Sequence, residues 1–258
     1  MYTDLHIAII QKDLVWQNAK ENRQRLDVML SEIENVDLVI LPEMFTTGFS
    51  MTPKPIAEKM DGDSIIWMKE KARQLNAALV GSIIIAEKDS HFNRMLFVHP
   101  DGKVEHYDKR HAFALAGEDE EYTSGNTKLI VAYKGWKICP LICYDLRFPV
   151  WSRNTEKYDL LIYSANWPKP RINAWNTLLK ARAIENMSFC IGVNRVGVDD
   201  NGYAYSGNSI AIDYLGNQLT ETCEGQEAVI YTTLYKNELI KVREKLPFLE
   251  DKDVFTIH

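Results

Sequence analysis

The chain has 258 residues, a formal net charge of −6, 46% hydrophobic and 26% charged residues. This is enough chain to bury a substantial core, and it fits one large α/β domain spanning 1–258. An acidic chain without a Lys/Arg block is a poor match for nucleic acid or an anionic membrane, and no run approaches the roughly 18–20 apolar residues of a membrane span, so a small-molecule partner is expected.

The N-terminal Met1-Tyr2-Thr3-Asp4-Leu5-His6 carries an acid where a secretory leader carries bases, and the apolar run Ile7 to Ile10 is too short for a leader. Four cysteines, Cys139, Cys143, Cys190 and Cys223, are few for a disulfide scaffold. Together these features predict a cytoplasmic protein with reduced thiols.

Short apolar runs alternate with helical patterns. His6 to Gln11 reads as a strand, and about Val15 to Glu32 as a helix with apolar Val15, Leu26, Met29 and Leu30. Val36 to Leu41 is the next strand, running straight into Pro42-Glu43. Gly62 to Asn76 is helical in character, and Ala78 to Ala86 is strongly β. Met95 to His99 and Val104 to Tyr107 flank Pro100-Asp101-Gly102, a hairpin signal. Later strands are predicted at Lys128–Tyr133, Lys137–Ile142, Leu160–Ala165, Phe189–Asn194, Ser209–Asp213 and Ala228–Thr232. Arg171 to Met187 reads as a helix with a stripe of Ile172, Trp175, Leu178, Leu179 and Ile184. No linker or repeat divides the chain, and the alternation predicts helices covering the faces of a sheet. The tail 244–258 holds Leu246, Phe248, Leu249, Val254, Phe255 and Ile257. It is too short for its own core and should pack on its own domain or on a partner subunit.

The chemistry centres on Pro140-Leu141-Ile142-Cys143-Tyr144-Asp145-Leu146-Arg147-Phe148-Pro149, an apolar strand that ends abruptly at a cysteine. A thiol there needs a base, because the thiolate is the nucleophile. Leu38-Val39-Ile40-Leu41-Pro42-Glu43 is a second apolar strand ending at a proton-transfer residue, with Phe45 and Phe49 close behind. Ligands sit beyond the carboxyl ends of strands in α/β sheets, so Glu43 and Cys143 could meet in one crevice. Glu43 could equally cap a loop. Lys109, in Tyr107-Asp108-Lys109-Arg110-His111, could lower the thiol's pKa and stabilise an oxyanion, although most lysines are simply solvated. Gly117-Glu118-Asp119-Glu120-Glu121 reads as a solvated acidic turn. A Cys/His pair with His111 and a zinc set of His106, His111, Cys139 and Cys143 are rivals; the zinc set is disfavoured because Cys139 lies inside a strand. No GxGxxG or P-loop lysine is present.

Glu43, Lys109 and Cys143, in this order and within Leu41-Pro42-Glu43, Tyr107-Asp108-Lys109-Arg110-His111 and Ile142-Cys143-Tyr144-Asp145-Leu146-Arg147-Phe148-Pro149, resemble the nitrilase (carbon–nitrogen hydrolase) superfamily over almost the whole chain. The resemblance implies a four-layer α-β-β-α sandwich, no metal or other cofactor, and a homodimer. It implies Glu43 as general base, Lys109 as the cation of the tetrahedral intermediate and Cys143 as nucleophile. It also implies a second glutamate near the lysine, for which Glu118 fits best and Glu120 stays open. It implies the backbone N–H of Tyr144 as the second oxyanion donor. Within the superfamily, Leu41 to Phe49, Ser164-Ala165-Asn166-Trp167-Pro168 and Val193-Asn194-Arg195-Val196-Gly197 are similar to the bacterial omega-amidases, which hydrolyse the terminal amide of 2-oxoglutaramate and also accept 2-oxosuccinamate. Arg147 can pair bidentately with a substrate carboxylate, or be held structurally by Asp145 or Glu185. Phe45 and Trp167 are expected as apolar walls. An N-carbamoyl amidohydrolase, a nitrilase proper and a non-catalytic binding scaffold are the alternatives.

Overall fold

The structure is a computed structural model describing residues 4–256. Met1 to Thr3 of the N-terminal segment and Ile257 and His258 of the tail lie outside the described residues.

Strands and helices follow in the predicted alternation. The strands are β1 (Leu5–Gln11), β2 (Leu38–Ile40), β3 (Ala78–Glu87), β4 (Ser90–Val98), β5 (Val104–Asp108), β6 (Val131–Tyr133) and β7 (Trp136–Ile142), then β8 (Leu160–Ala165), β9 (Phe189–Asn194), β10 (Val196–Val198), β11 (Ala204–Ser206), β12 (Ile210–Ile212) and β13 (Ala228–Leu234). The helices are α1 (Ala19–Leu30), α2 (Asp63–Leu75), α3 (Glu118–Glu121), α4 (Pro149–Ser152), α5 (Ile172–Asn186) and α6 (Lys236–Lys245).

Two mixed sheets stack face to face. One has the order β13-β1-β2-β3-β4-β5 and the other β12-β9-β8-β7-β6. Strand alternation explains the layering, because successive side chains point to opposite faces. In β1, Leu5, Ile7 and Ile9 join the core between the sheets, together with Ile138, Leu160 and Ile162 of the second sheet. Ala8 and Ile10 point the other way, into a layer with Leu26 and Leu30 of α1 and Ile65, Met68 and Ala72 of α2. On the far side α5 covers the second sheet through Trp175, Leu179 and Ala183. It lies so close to β9 that a Cβ on Gly192 would sit 2.4 Å from Leu179 and 2.6 Å from Trp175. The result is the four-layer α-β-β-α sandwich.

Several elements depart from the sequence reading: β4 begins at Ser90 rather than Met95, β6 at Val131 rather than Lys128, and β10, β11 and α6 have no counterpart in it. The first helix begins at Ala19 rather than Val15, because Asn18 caps it by accepting from the Glu21 N–H at 3.1 Å. Val15 is held outside the helix, its N–H donating to Asn22 Oδ1 at 2.8 Å. In α5, Ile184 is 45% exposed instead of completing the stripe. It lies nine residues after Trp175, roughly 180° around the helix, and Arg182 and Ala183 take the inner face in its place.

The sheets are tied together at their functional end. Ser164 Oγ, on β8, donates to the carbonyl of Leu41 just beyond β2 at 2.8 Å. The carboxyl ends of β2, β7 and β8 therefore open on one side of the sandwich, although β2 belongs to a different sheet from the other two.

Candidate active site

Cys143 stands where β7 turns into a single 3-10 helix, Cys143–Arg147, with a backbone φ of +43°. A left-handed conformation costs a non-glycine residue roughly 1–2 kcal/mol, so the surroundings must impose it. Asp145 does much of this. Its buried carboxylate accepts from the Ile142 N–H at 3.0 Å, the Tyr107 hydroxyl at 2.8 Å, the His111 N–H at 3.1 Å and His111 Nδ1 at 2.7 Å. The Tyr107 oxygen in turn accepts from Trp151 Nε1 and the Arg110 N–H, each at 3.1 Å. The His111 ring is stacked on Phe148 with centroids 3.7 Å apart. This histidine belongs to the frame behind the corner, with Nδ1 committed to Asp145.

Glu43 is fully buried where the chain leaves β2. The next residue, Met44, also has a positive φ of +44° and anchors the turn by donating its N–H to Ser82 Oγ at 2.8 Å. Glu43 Oε1 accepts from Lys109 Nζ at 3.0 Å and Asn93 Nδ2 at 2.8 Å, while Oε2 accepts from the Asn166 N–H at 2.8 Å. Asn166 also grips the Glu43 carbonyl through Nδ2 at 2.6 Å. Lys109, one residue past β5, donates to both oxygens of Glu118 at 2.9 and 2.8 Å.

The acidic segment after Gly117 is therefore not simply a solvated turn. Asp119, Glu120 and Glu121 are exposed as expected, but Glu118 is 1% exposed. It faces inward because α3 starts on a left-handed Gly117 and the Phe113 N–H donates to Glu118 Oε2 at 2.6 Å. Between Glu118 and Glu120, only Glu118 meets the lysine.

Electrostatics set the resting state. Burial works against the Lys109 ammonium, but Glu118, Glu43 and Cys143 outweigh it and hold its pKa well above the ordinary value. Burial pushes the Glu118 carboxyl up; Lys109 pulls it down and the Glu43 charge pushes it up again, leaving it raised. The Cys143 thiol is also driven well above its usual value, first by burial and then by the Glu43 charge and hydrogen bond, against the pull of Lys109. The lysine does favour the thiolate, as its sequence context suggested, but it is outweighed. At neutral pH the thiol keeps its proton, beside a carboxylate able to accept it.

The thiol opens on a cavity of about 380 Å³ whose lining includes Phe49, Lys109, Tyr144, Arg147, Asn166 and Trp167. The Tyr144 ring packs on Phe113 at 4.9 Å and Phe148 at 5.1 Å. Its N–H opens the 3-10 helix and has no acceptor within it. Arg147 lies over Trp167, 4.9 Å from the ring centroid, and no carboxylate pairs with it among the described residues. The structural partners envisaged for it are occupied: Asp145 as above, and Glu185 by Arg182 at 2.9 Å.

Phe45 does not form a wall. It is fully buried in the layer behind the site, 5.8 Å from the Trp67 ring, because its N–H is drawn to the Ser82 carbonyl at 3.1 Å. Phe49 takes that place, with its ring 5.1 Å from Lys109 Nζ. The zinc grouping does not converge, since His106 is exposed and Cys139 is fully buried in the core. No group of three or more His, Cys, Asp or Glu among the described residues could hold a metal.

Sequence reasoning did not single out Asn93 or Asn166 as site residues. Asn93 Nδ2 bridges the two carboxylates, donating to Glu43 and, at 3.2 Å, to Glu118. A signal existed: Asn93 interrupts the strand Phe92-Asn93-Arg94-Met95-Leu96-Phe97-Val98, and asparagine is disfavoured inside strands.

The sequence model of the carbon-nitrogen hydrolase family matches residues 6–244. The omega-amidase YafV of Escherichia coli K12 is 44% identical over 98% of this chain and 98% of its own. The 2-oxoglutaramate amidase of Bacillus subtilis 168 is 32% identical over 96% and 98%. Among solved structures, XC1258 of Xanthomonas campestris, a CN-hydrolase superfamily protein with an arsenic adduct in its active site, superposes with a TM-score of 0.97 at 42% identity, covering 99% of this chain and all of that one. With its sandwich, its buried Glu-Lys-Glu cluster beside a cysteine corner and these full-length likenesses, the chain belongs to the carbon–nitrogen hydrolase family.

Proposed function

We propose that this chain is an omega-amidase, hydrolysing the terminal amide of 2-oxoglutaramate, and of 2-oxosuccinamate, to the 2-oxo dicarboxylic acid and ammonia. The observation that carries the reading is one cavity holding the Cys143 thiol, the Lys109 ammonium and the unpaired guanidinium of Arg147. The first two suit attack on an amide, and the third suits a carboxylate at the other end of a short acid. The likeness to proteins named omega-amidase and 2-oxoglutaramate amidase supports the same substrate class.

In this reading Glu43 takes the thiol proton as sulfur attacks the amide carbon. The oxyanion is held by Lys109 Nζ and the N–H of Tyr144. Glu43 passes the proton to the leaving nitrogen, ammonia departs and a thioester remains. Glu43 then takes a proton from water, hydroxide adds to the thioester, and collapse releases the acid and restores the thiol. Glu118 keeps Lys109 charged and in place, while Trp167 and Phe49 shield the reacting centre from water. No metal or cofactor enters these steps.

The chain acts as a single 1–258 carbon–nitrogen hydrolase domain in the cytoplasm, as a homodimer. Leu249 anchors the tail on its own subunit, and exposed Phe248, Val254 and Phe255 beside it support burial against a partner. Light scattering on the purified protein checks the dimer. Ammonia release from 2-oxoglutaramate, set against N-carbamoyl amino acids and nitriles, tests the activity. Faster turnover of either rival class would replace the omega-amidase reading.

A further inference from the structure

A second guanidinium in the cavity has no role in the mechanism above. Arg171, the residue before α5, lines the same pocket as Cys143 and Arg147. Its guanidinium lies over the Phe113 ring, 5.2 Å from the centroid, and like Arg147 it has no carboxylate partner among the described residues. The two are joined through one side chain. Trp167 carries Arg147 on its face and donates its Nε1–H to the Arg171 carbonyl at 2.8 Å.

The one carboxylate in the cavity lining, Asp199, is engaged elsewhere. It accepts from the Asn201 N–H at 3.0 Å, the Tyr203 N–H at 2.9 Å and the Tyr205 hydroxyl at 2.8 Å. The charge of Lys109 is balanced by Glu43 and Glu118, to which it donates. Two uncompensated cations therefore remain in a small, partly apolar cavity. Stacking on an aromatic face holds a guanidinium while leaving the N–H groups on its edge free to donate.

Two cations are more than a plain carboxylate requires. One guanidinium fork satisfies a carboxylate bidentately. A 2-oxo acid presents three acceptor oxygens in one planar unit, the carboxylate pair and the adjacent carbonyl, and the third oxygen needs a donor of its own. We infer that Arg171 donates to the 2-oxo oxygen of the substrate while Arg147 takes the carboxylate, making Arg171 the residue that selects 2-oxo monoamides over simple ones. This rests on the omega-amidase reading and refines it. A site built to hydrogen-bond an oxygen rejects the analogue lacking it, because its own polar group is then left unpaired.

The test compares 2-oxoglutaramate with glutaramate, monoamides of equal length that differ in the C2 oxygen. Ammonia release gives kcat and KM for wild type, Arg171→Gln, Arg171→Lys and Arg147→Gln. The expected result is that the ratio of kcat/KM for the two substrates falls at least tenfold in Arg171→Gln, chiefly through KM for 2-oxoglutaramate. Arg171→Lys should recover part of the ratio, since an ammonium still donates. Arg147→Gln should depress both substrates together, because both carry the carboxylate. An unchanged ratio in Arg171→Gln, or a parallel loss on both substrates, overturns the assignment. So does a collapse of the ratio in Arg147→Gln in place of Arg171→Gln. A wild-type protein that releases no ammonia from either monoamide refutes the omega-amidase reading itself, a different failure from a selective wild type with an indifferent Arg171.

Discussion

Replacing Asp145 tests whether the corner at Cys143 is held from behind. In Asp145→Ala four donors lose their acceptor: the Ile142 N–H, the Tyr107 hydroxyl, the His111 N–H and His111 Nδ1. The first two lie in fully buried surroundings, where an unsatisfied donor costs about 1–3 kcal/mol; the His111 pair is near enough to solvent to recover part of its loss. The sum is about 3–6 kcal/mol, a large share of the roughly 5–15 kcal/mol that holds a domain together. For a chain of this size it corresponds to a fall in Tm on the order of 10 °C. Asp145→Asn keeps one acceptor but sets an amide against the remaining donors, so it should lie between wild type and alanine. Urea denaturation gives the free energies, and ammonia release at a temperature where every variant is folded gives kcat. Turnover should fall with the corner, because the φ of Cys143 is no longer imposed. A loss below about 1 kcal/mol with kcat intact would mean that the left-handed cysteine is held by something other than this carboxylate.

Cys143→Ala should abolish ammonia release while the protein still binds the 2-oxo acid product, measured by calorimetry; residual hydrolysis would remove the thioester route. Glu43→Gln should lower kcat by about 10²–10⁴, the usual yield of a general base, and a smaller loss in single-turnover assays would shift the proton acceptor elsewhere. Asn93→Ala frees both carboxylates to approach and should raise the acidic limb of the pH–rate profile; an unmoved limb with lowered stability alone would reduce Asn93 to packing. Stability should also fall in alkali. Burial holds the Cys139 and Cys190 thiols above their ordinary value, so the folded chain keeps protons that the unfolded chain loses from about pH 8.5. Their contribution is complete below that pH and declines by about 1.4 kcal/mol per thiol per unit above it, so a urea midpoint flat between pH 8 and 10 would contradict the burial.

The elements legible in the sequence were those whose pattern coincides with their environment. β8 and β9 are buried throughout and mostly apolar because helix and sheet cover both faces, and they lie at Leu160–Ala165 and Phe189–Asn194, as read. Boundaries moved where a single polar contact decides them, as at Asn18. The site residues at strand ends could be located because an apolar run stops there. Glu118 could not be placed by composition: its neighbours Asp119, Glu120 and Glu121 are exposed, and only the fold turns one of four acids inward. Phe45 and Phe49 illustrate the same limit, since both follow Glu43 and only the turn at Met44 determines which ring reaches the cavity.

Charge balance explains why three ionisable groups are packed so closely around Lys109. A lone buried ammonium would give up its proton; two carboxylates reverse that, and the pair Glu43–Glu118 exceeds the lysine's charge by one. Burial first, and then this surplus, keep the Cys143 thiol protonated. When sulfur attacks and Glu43 accepts the proton, the negative charge leaves the carboxylate and reappears on the substrate oxygen, within the field of the same lysine. The cluster thus moves one charge across a short distance without creating a new one. Without the second carboxylate the thiol is held up less strongly, so Glu118→Gln should lower the pH at which Cys143 reacts with iodoacetamide while slowing hydrolysis. If alkylation of Glu118→Gln followed the same pH curve as wild type, the second glutamate would have no part in setting the thiol's charge.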